Sequence, residues 1–208
     1  QALAYVPPDG WPPMPGHGHK DLGSFELHHE GIPIVIDPGR GTYADAAHAG
    51  SDFHNGIIID GAGPMPDNRP YYSSDFRRSV LPDPPTMTRT RNGRVLKYRT
   101  PAKTKPECSV SRQWVFSDSS VEILDSVSGT GQHNIHRQFF IPGEILHSEE
   151  AAVAKISGAE FRFRTDLPAT ALKCARWETY GCAGTATRLS FEATVTLPFE
   201  GKTVIEKL

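Results

Sequence analysis

The chain has 208 residues, a length typical of one large domain or two small ones. Its 22 Lys and Arg residues nearly balance its 24 Asp and Glu residues, which gives a formal net charge of −2. This balance excludes a strongly basic nucleic-acid-binding protein, although not a local basic cleft. The apolar runs are far shorter than a membrane span requires, so no membrane-spanning segment is predicted.

The amino terminus carries a proline-rich segment. Five prolines fall within residues 1–15, and this density predicts an extended arm or linker, followed by one domain over residues 16–208. The first residues lack the charged start and apolar stretch of a signal peptide. Because the chain starts at Gln1 instead of Met, it is interpreted as a processed product. The expected location is therefore periplasmic or extracellular if a signal peptide has been removed, and cytoplasmic otherwise.

Short strands dominate the predicted secondary structure. The first two strands, residues 22–29 and 32–37, are joined by a tight turn at Glu30-Gly31, and a third covers residues 53–60. Residues 86–100 are predicted to form a hairpin around Asn92-Gly93. Further strands are predicted over residues 113–116, 121–127, 133–141, 153–156, 159–164 and 188–197, with no helix of three turns. The predicted fold is an all-β, two-sheet antiparallel β-sandwich.

The three cysteines are too few for a disulfide scaffold. Cys174 and Cys182 are close enough in sequence to bridge a short loop, which would leave Cys108 unpaired. Three unpaired thiols are the favoured interpretation.

Residues that can bind a metal ion are concentrated near the start of the domain. His17 and His19 are two residues apart, so on extended backbone their side chains point the same way. Asp37 ends the neighbouring predicted strand and His54 opens the third. Two imidazoles and a carboxylate on three segments can hold zinc, with Asp21 supporting them from outside. The alternative is that they are ordinary surface or hydrogen-bonded residues in a chain with nine histidines.

Four blocks of sequence carry a family resemblance. Residues 16–27 (GHGHKDLGSFEL), 31–39 (GIPIVIDPG), 54–61 (HNGIIIDG) and 136–143 (HRQFFIPG) occur in this order, with Tyr43 and Asp125 between them. They resemble the blocks of the heparinase II/III family of polysaccharide lyases, with Gly56 where threonine is usual. The resemblance extends from Gly16 to Gly143 and fades beyond it.

The resemblance implies a domain organisation and an activity. Members of this family join an N-terminal α/α-toroid to a C-terminal β-sandwich, and the four blocks belong to the sandwich. The chain is therefore expected to be the C-terminal part of a longer lyase or a stand-alone relative. The family cleaves uronic-acid polysaccharides by β-elimination, so the expected partners are an acidic polysaccharide and the toroid domain. The face that a toroid would cover is expected to be polar or to drive self-association.

The resemblance also implies roles for individual residues. His17 would be the catalytic base or a neutraliser of the substrate carboxylate. Tyr43 is the local candidate for a tyrosine acid or base. His19, Asp37 and His54 match the family's zinc ligands, and that zinc is structural because it fixes the loop that carries His17.

Other histidines receive structural interpretations. His28 and His29 fit no family role and are expected on a strand surface. For His136 and Arg137 a structural role is favoured over a catalytic one.

One alternative function is a non-catalytic carbohydrate-binding or structural module. Carbohydrate binding of this kind needs exposed aromatic residues on a flat face. The available aromatics are scattered along the chain: Trp11, Tyr71, Tyr72 and Trp177.

A second alternative is a cupin-like metal-dependent oxygenase, with His17, His19, Glu26 and a later histidine as iron ligands. The spacing disfavours it, because Glu26 lies too far beyond His19 and faces the opposite side of a regular strand.

Overall fold

The computed structural model describes residues 1–4, 19–42, 50–65, 73–80, 83–100, 107–147 and 151–208. The regular secondary structure of the described residues consists of antiparallel strands, apart from one short α-helix, Ser74–Val80, and a 3-10 turn, Ser51–Phe53. The all-β prediction is confirmed.

Fifteen strands are present among these residues. In chain order they are β1 (Ala2–Ala4), β2 (Phe25–His29), β3 (Ile32–Val35), β4 (Ile57–Ile59), β5 (Thr86–Thr90), β6 (Gly93–Arg99), β7 (Ser109–Phe116), β8 (Ser120–Ser128), β9 (Gln132–Ile141), β10 (Glu144–His147), β11 (Ala152–Ile156), β12 (Ala159–Thr165), β13 (Ala169–Thr179), β14 (Cys182–Thr196) and β15 (Phe199–Lys207).

The strands form two packed layers. One layer is an eight-stranded sheet in the order β10-β11-β12-β15-β8-β7-β6-β5. The other contains a four-stranded sheet, β13-β14-β9-β4, and a three-stranded sheet, β1-β2-β3. These two small sheets are joined where the backbone N–H of Ile36 donates to the carbonyl of Phe140 (2.9 Å). Buried side chains from all three sheets share one hydrophobic core, as a β-sandwich requires.

The predicted strand over residues 53–60 is wrong in its first half. The chain makes a 3-10 turn at Ser51–Phe53, and the strand covers only Ile57–Ile59. The reason is Asn55, whose side chain makes hydrogen bonds that a ladder of backbone groups would otherwise make. The alternation of apolar and polar residues therefore predicts the start of this strand too early in the chain.

The predicted hairpin over residues 86–100 is confirmed, with a shift at its turn. Thr90 pairs with Gly93, so the two loop residues are Arg91 and Asn92. Gly93 is the first residue of β6, where a Cβ atom would collide with the carbonyl oxygen of Trp114. Glycine is therefore needed there for close strand approach.

The three cysteines are free thiols. Cys174 lies opposite Ala186 and Cys182 lies opposite Thr179 in the β13–β14 pairing, so the two sulfur atoms belong to different positions along the ladder. This confirms the interpretation of three unpaired thiols.

Part of the predicted arm is structured. Ala2–Ala4 pairs with β2, whereas residues 5–15 lie outside the described residues. Within the described ranges, no helix has the length and apolar composition that a membrane crossing requires.

One end of β9 is held by a buried histidine, His133, that pairs with an exposed aspartate, Asp60. The Nδ1 atom of His133 lies 2.7 Å from Asp60 Oδ2, and its Nε2 atom lies 3.1 Å from the carbonyl oxygen of Thr130. The other oxygen of Asp60 accepts the backbone N–H of Asn134 (2.9 Å). Because both ring nitrogens face acceptors, the protonated imidazole is the form that can donate to both.

This arrangement shifts both pKa values. The hydrogen bonds to Asp60 and Thr130 raise the pKa of His133 above its ordinary 6.5. Burial acts to raise the pKa of Asp60, but the Asn134 N–H and His133 outweigh it, so this pKa lies below its ordinary 3.8. The His133 contribution is complete below pH 6.5 and is lost as pH rises through its raised pKa. The Asp60 contribution is complete above pH 3.8 and is lost as pH falls through its lowered pKa.

We expect Asp60→Asn to lower the free energy of unfolding more at about pH 5.5 than at about pH 9, because the charged pair exists only at the lower value. Urea denaturation at the two pH values measures this difference. Asp118→Asn, in the exposed turn between β7 and β8, is the matched control and should show no such dependence. Equal losses for Asp60→Asn at both pH values would contradict the assignment.

Candidate functional site

Strand β9 brings two of the predicted ligands together. β4 pairs antiparallel with β9, with Ile58 opposite His136. Farther along the same edge of β9, the Ile36 N–H donates to the carbonyl of Phe140. Asp37 directly follows Ile36 and His54 lies three residues before β4, so both lie beside one edge of β9.

A buried asparagine fixes these segments to one another. Asn55 is fully buried, and its Nδ2 atom donates to the carbonyl oxygens of Phe25 and Ile36, both at 2.8 Å. Its Oδ1 atom accepts the backbone N–H of Phe140 (2.7 Å). The side chain of Asn55 therefore links β2, the residue after β3 and β9, and all three of these hydrogen bonds are buried.

Two further buried side chains hold the backbone around His54. Gln138 Nε2 donates to the His54 carbonyl at 2.8 Å. Arg112 Nη1 donates to the carbonyls of Asn55 (2.7 Å) and Gly23 (3.2 Å). Sequence reasoning assigned no role to Asn55, Gln138 or Arg112, although two of them lie within the family blocks. Their importance comes from contacts between strands distant in sequence.

Of the three predicted ligands, Asp37 and His54 are in direct contact, and the His19 ring lies beside His54. His54 is 1% exposed, and its Nδ1 atom lies 2.8 Å from Asp37 Oδ2. The Gly39 N–H donates to Asp37 Oδ1 (2.9 Å), and Ser24 Oγ donates to Asp37 Oδ2 (3.3 Å). The His19 ring lies with its centroid 5.2 Å from that of His54. We call His19, Asp37 and His54 the histidine–aspartate cluster.

Among the described residues, the group of side chains that could share one metal ion contains His19, Asp21 and His54, whereas Asp37 contacts His54 Nδ1 and lies outside this group. Ligand atoms of His19, Asp21 and His54 all lie within 4.8 Å of one another. Asp21 Oδ1 and His54 Nε2 are buried without a hydrogen-bond partner among the described residues. Buried polar atoms are normally paired, so these two indicate room for a further polar partner. Imidazole nitrogens and carboxylate oxygens are a donor set that suits zinc, and the residues present therefore fit this ion.

Burial and local charge shift the pKa values in the cluster. Burial lowers the pKa of His19, helped by His54 and Arg40 and opposed by Asp37. Burial acts to raise the pKa of Asp37, but the hydrogen bond and charge of His54 outweigh it and leave the pKa low. Burial raises the pKa of Asp21. A neutral imidazole and an ionised carboxylate are the forms that bind a metal.

The loop that follows Asp37 packs against β13. The Trp177 N–H donates to the carbonyl of Pro38 (2.7 Å). Gly39 has φ 76°, and a Cβ atom there would collide with the Trp177 carbonyl oxygen. Gly41 has φ 80° and lies directly against the Trp177 indole. These contacts fix the backbone that leads toward residue 43.

The two predicted catalytic residues, His17 and Tyr43, lie outside the described residues. They remain predictions. His17 precedes His19 by two residues, and Tyr43 follows the glycine loop held by Trp177.

The structural interpretation of Arg137 agrees with its surroundings. Arg137 is fully buried, and its Nε atom donates to Asp125 Oδ2 (2.8 Å). His28 and His29 lie half-exposed on β2, beside Glu26 and Glu30 respectively, as expected for strand-surface residues.

The geometry gives no support to the cupin-like alternative. Glu26 Oε1 contacts the backbone N–H of Asp37 (3.4 Å), and Glu26 Oε2 lies 3.5 Å from His28. In the described ranges, Glu26 does not belong to the group of side chains that could share a metal ion.

Comparisons with known proteins agree with the fold. The heparinase II/III-like, C-terminal family model matches residues 5–204. No curated protein matches the chain. The solved structure of the heparinase III BT4657 gene product with methylated lysines has a TM-score of 0.73 at 17% identity, covering 100% of this chain and 32% of that one.

Two other solved structures are similar. Heparan sulfate lyase HepC from Pedobacter heparinus has a TM-score of 0.71 at 13% identity, covering 94% of this chain and 32% of that one. A structure of heparinase III has a TM-score of 0.66 at 14% identity, covering 91% and 30%. The chain spans about a third of the length of these structures, and at such identities they show a shared fold. Because the family match covers nearly the whole sequence, the chain belongs to the heparinase II/III-like, C-terminal family.

Proposed function

We propose that the chain is the β-sandwich domain of a lyase that cleaves uronic-acid polysaccharides by β-elimination. The observation that carries this proposal is the histidine–aspartate cluster, which is formed by three separate segments of the chain. One of its members, His19, lies two residues after His17 in the sequence. The name of HepC identifies heparan sulfate as its substrate, which supports an acidic polysaccharide as the substrate class here.

Elimination makes definite demands on the site. A base must remove the weakly acidic C5 proton, an acid must protonate the leaving O4 oxygen, and the uronate carboxylate must be neutralised. In this proposal His17 acts as the base or neutraliser, and Tyr43 acts as an acid or base. Remaining groups would come from an α/α-toroid domain. The rise in ultraviolet absorbance from the unsaturated product tests the reaction.

We further propose that His19, Asp37 and His54 hold zinc, with Asp21 beside them. A zinc ion bound there would cross-link three segments and have a structural role. The described side chains then position the backbone: Asn55 ties β2, β3 and β9 together, and Gln138 holds the His54 carbonyl. His17 would be held in place through its neighbour His19.

We expect about one equivalent of zinc per chain after dialysis, and we expect His19→Ala to reduce it to background. Loss of the ion should also lower the melting temperature, because a ligand at 100 times its Kd stabilises the folded state by about 2.7 kcal/mol. Elemental analysis and thermal denaturation measure the two effects.

His29→Ala is the matched control for this experiment. This imidazole is half-exposed on β2 beside Glu30, so its removal should leave the zinc content unchanged. A wild-type chain that contains no zinc, and whose melting temperature does not respond to added zinc, would refute the metal assignment.

A further inference from the structure

A groove lies at the edge of the eight-stranded sheet, beside the turn of the β5–β6 hairpin. It has a volume of about 590 Å³. Met87, Trp114 and Phe116 form its apolar lining, and Gln1 and Ala2 also line it. We call it the hairpin groove. Its volume falls within the range of about 300–1,000 Å³ that is typical of small-molecule sites.

Three arginines surround this apolar lining. Arg89 on β5 lies directly opposite Arg94 on β6, and Arg91 lies in the turn between them. Arg94 in turn lies opposite Trp114 on β7. Residues paired in this way share one face of a sheet, so Arg89 and Arg94 lie on the face that carries the buried Trp114. Two positive charges therefore lie side by side on this face of the sheet.

These arginines have no partner of opposite charge among the described residues. All three are exposed, and no ion pair joins any of them to an aspartate or glutamate in the described ranges. Among the described residues, the one side-chain hydrogen bond of these three arginines runs from Arg94 Nη1 to the carbonyl of Gly93 (3.1 Å). Arg99, on the opposite face of β6, is different, since Asp83 and Glu107 both pair with it. Like charges directly opposite each other are destabilising, so an anion between Arg89 and Arg94 would relieve their repulsion.

We propose that the hairpin groove binds an acidic oligosaccharide through a sulfate or carboxylate group held between Arg89 and Arg94. Guanidinium groups bind planar or tetrahedral oxyanions through paired hydrogen bonds. The apolar faces of sugar rings pack against aromatic side chains such as Phe116. This site is separate from the histidine–aspartate cluster, and its choice of ligand rests on the proposed function.

Calorimetric titration with a size-defined heparan sulfate oligosaccharide at low salt tests the proposal. The double variant Arg89→Ser/Arg94→Ser should weaken binding at least tenfold. The double variant Lys97→Ser/Arg99→Ser removes the same charge from the opposite face of the same hairpin and should change Kd less than about twofold. A parallel titration with an unsulfated polyuronate oligosaccharide distinguishes sulfate from carboxylate recognition. Circular dichroism confirms that both variants are folded.

Three outcomes would overturn the proposal. Equal loss of affinity in the two double variants would show attraction to overall charge without a site. If Arg89→Ser/Arg94→Ser binds with unchanged affinity and self-associates, these charges serve only to prevent the edge strand β5 from pairing with another chain. Retained binding in His19→Ala would support a groove separate from the cluster, and loss of binding there would contradict it. Elimination activity and zinc content are measured separately, so failure of the proposed function is distinguishable.

Discussion

Replacing Asp125 by asparagine is expected to lower the free energy of unfolding by about 3–5 kcal/mol, because it leaves two buried guanidinium groups without their shared anion. Arg112 donates to both oxygens of Asp125, at 2.7 and 2.9 Å, and Arg137 donates to one of them at 2.8 Å. All three side chains are at most 1% exposed. The melting temperature should fall by about 6–20 °C, since each kcal/mol corresponds to roughly 2–4 °C in a chain of this size.

The pKa of Asp125 shows which effect dominates. Burial acts to raise it, but the charges and hydrogen bonds of Arg112 and Arg137 outweigh burial and leave the pKa below its ordinary value. The carboxylate is therefore ionised in the folded state. Asparagine has nearly the same shape but no charge, so the substitution isolates the loss of the anion.

Glu122→Gln provides the matched control, since it is the same chemical change on the same strand. Glu122 forms a partly exposed ion pair with Lys202 (2.7 Å). Exposed pairs contribute little, so this variant should lose less than about 1 kcal/mol. Urea denaturation measures both variants. Losses of similar size in the two variants would show that the buried charges contribute no more to the free energy of unfolding than an exposed ion pair does.

The same ion group connects the core to the candidate site. Arg112 is held by Asp125 and also donates to the carbonyls of Gly23 and Asn55. Those carbonyls belong to the segments that carry the histidine–aspartate cluster. We therefore interpret the buried charges as the support that fixes the backbone around His54.

The parts of the fold that short-range sequence features determine are the ones predicted correctly. Glu30 and Gly31 adopt φ values of 51° and 82°, the left-handed conformation expected of a tight turn between β2 and β3. The positions of Asp37 and His54 at the ends of predicted strands likewise placed these two side chains near each other, and His54 Nδ1 lies 2.8 Å from Asp37 Oδ2. Each of these features involves residues close in sequence or at the ends of strands.

Features that depend on contacts between distant segments were missed. β15 buries alternate residues, but two of them are Gly201 and Thr203, so its apolar alternation is not visible in the sequence. A Cβ atom at Gly201 would lie 2.6 Å from the ring of Phe199, which explains the glycine. β13 is an edge strand of its sheet with no fully buried position, so it lacks a hydrophobic pattern altogether. The pairing that places Asn55 against β9 could not be read from local sequence.

Catalysis by these 208 residues alone should be undetectable, because elimination needs a base, an acid and a carboxylate neutraliser around one sugar. The chain contributes the candidates His17 and Tyr43, and each missing group typically costs roughly two to four orders of magnitude in rate. We therefore expect no rise in ultraviolet absorbance with heparan sulfate, alginate or hyaluronan. Robust activity from the chain alone would require a complete active site within the sandwich and would contradict this view.

Where the chain is joined to an α/α-toroid domain, His17→Ala is expected to abolish turnover and leave the zinc content intact. The imidazole of His17 is proposed to act on the substrate, whereas His19 is proposed to hold the metal, so the two substitutions should have different signatures. His19→Ala should lose zinc and thermal stability together with activity. His28→Ala, which removes a half-exposed imidazole beside Glu26 on β2, should keep all three. Loss of zinc in His17→Ala, or near-normal turnover without this imidazole, would place His17 outside the catalytic role, because a base or neutraliser must act directly on the uronate being cleaved.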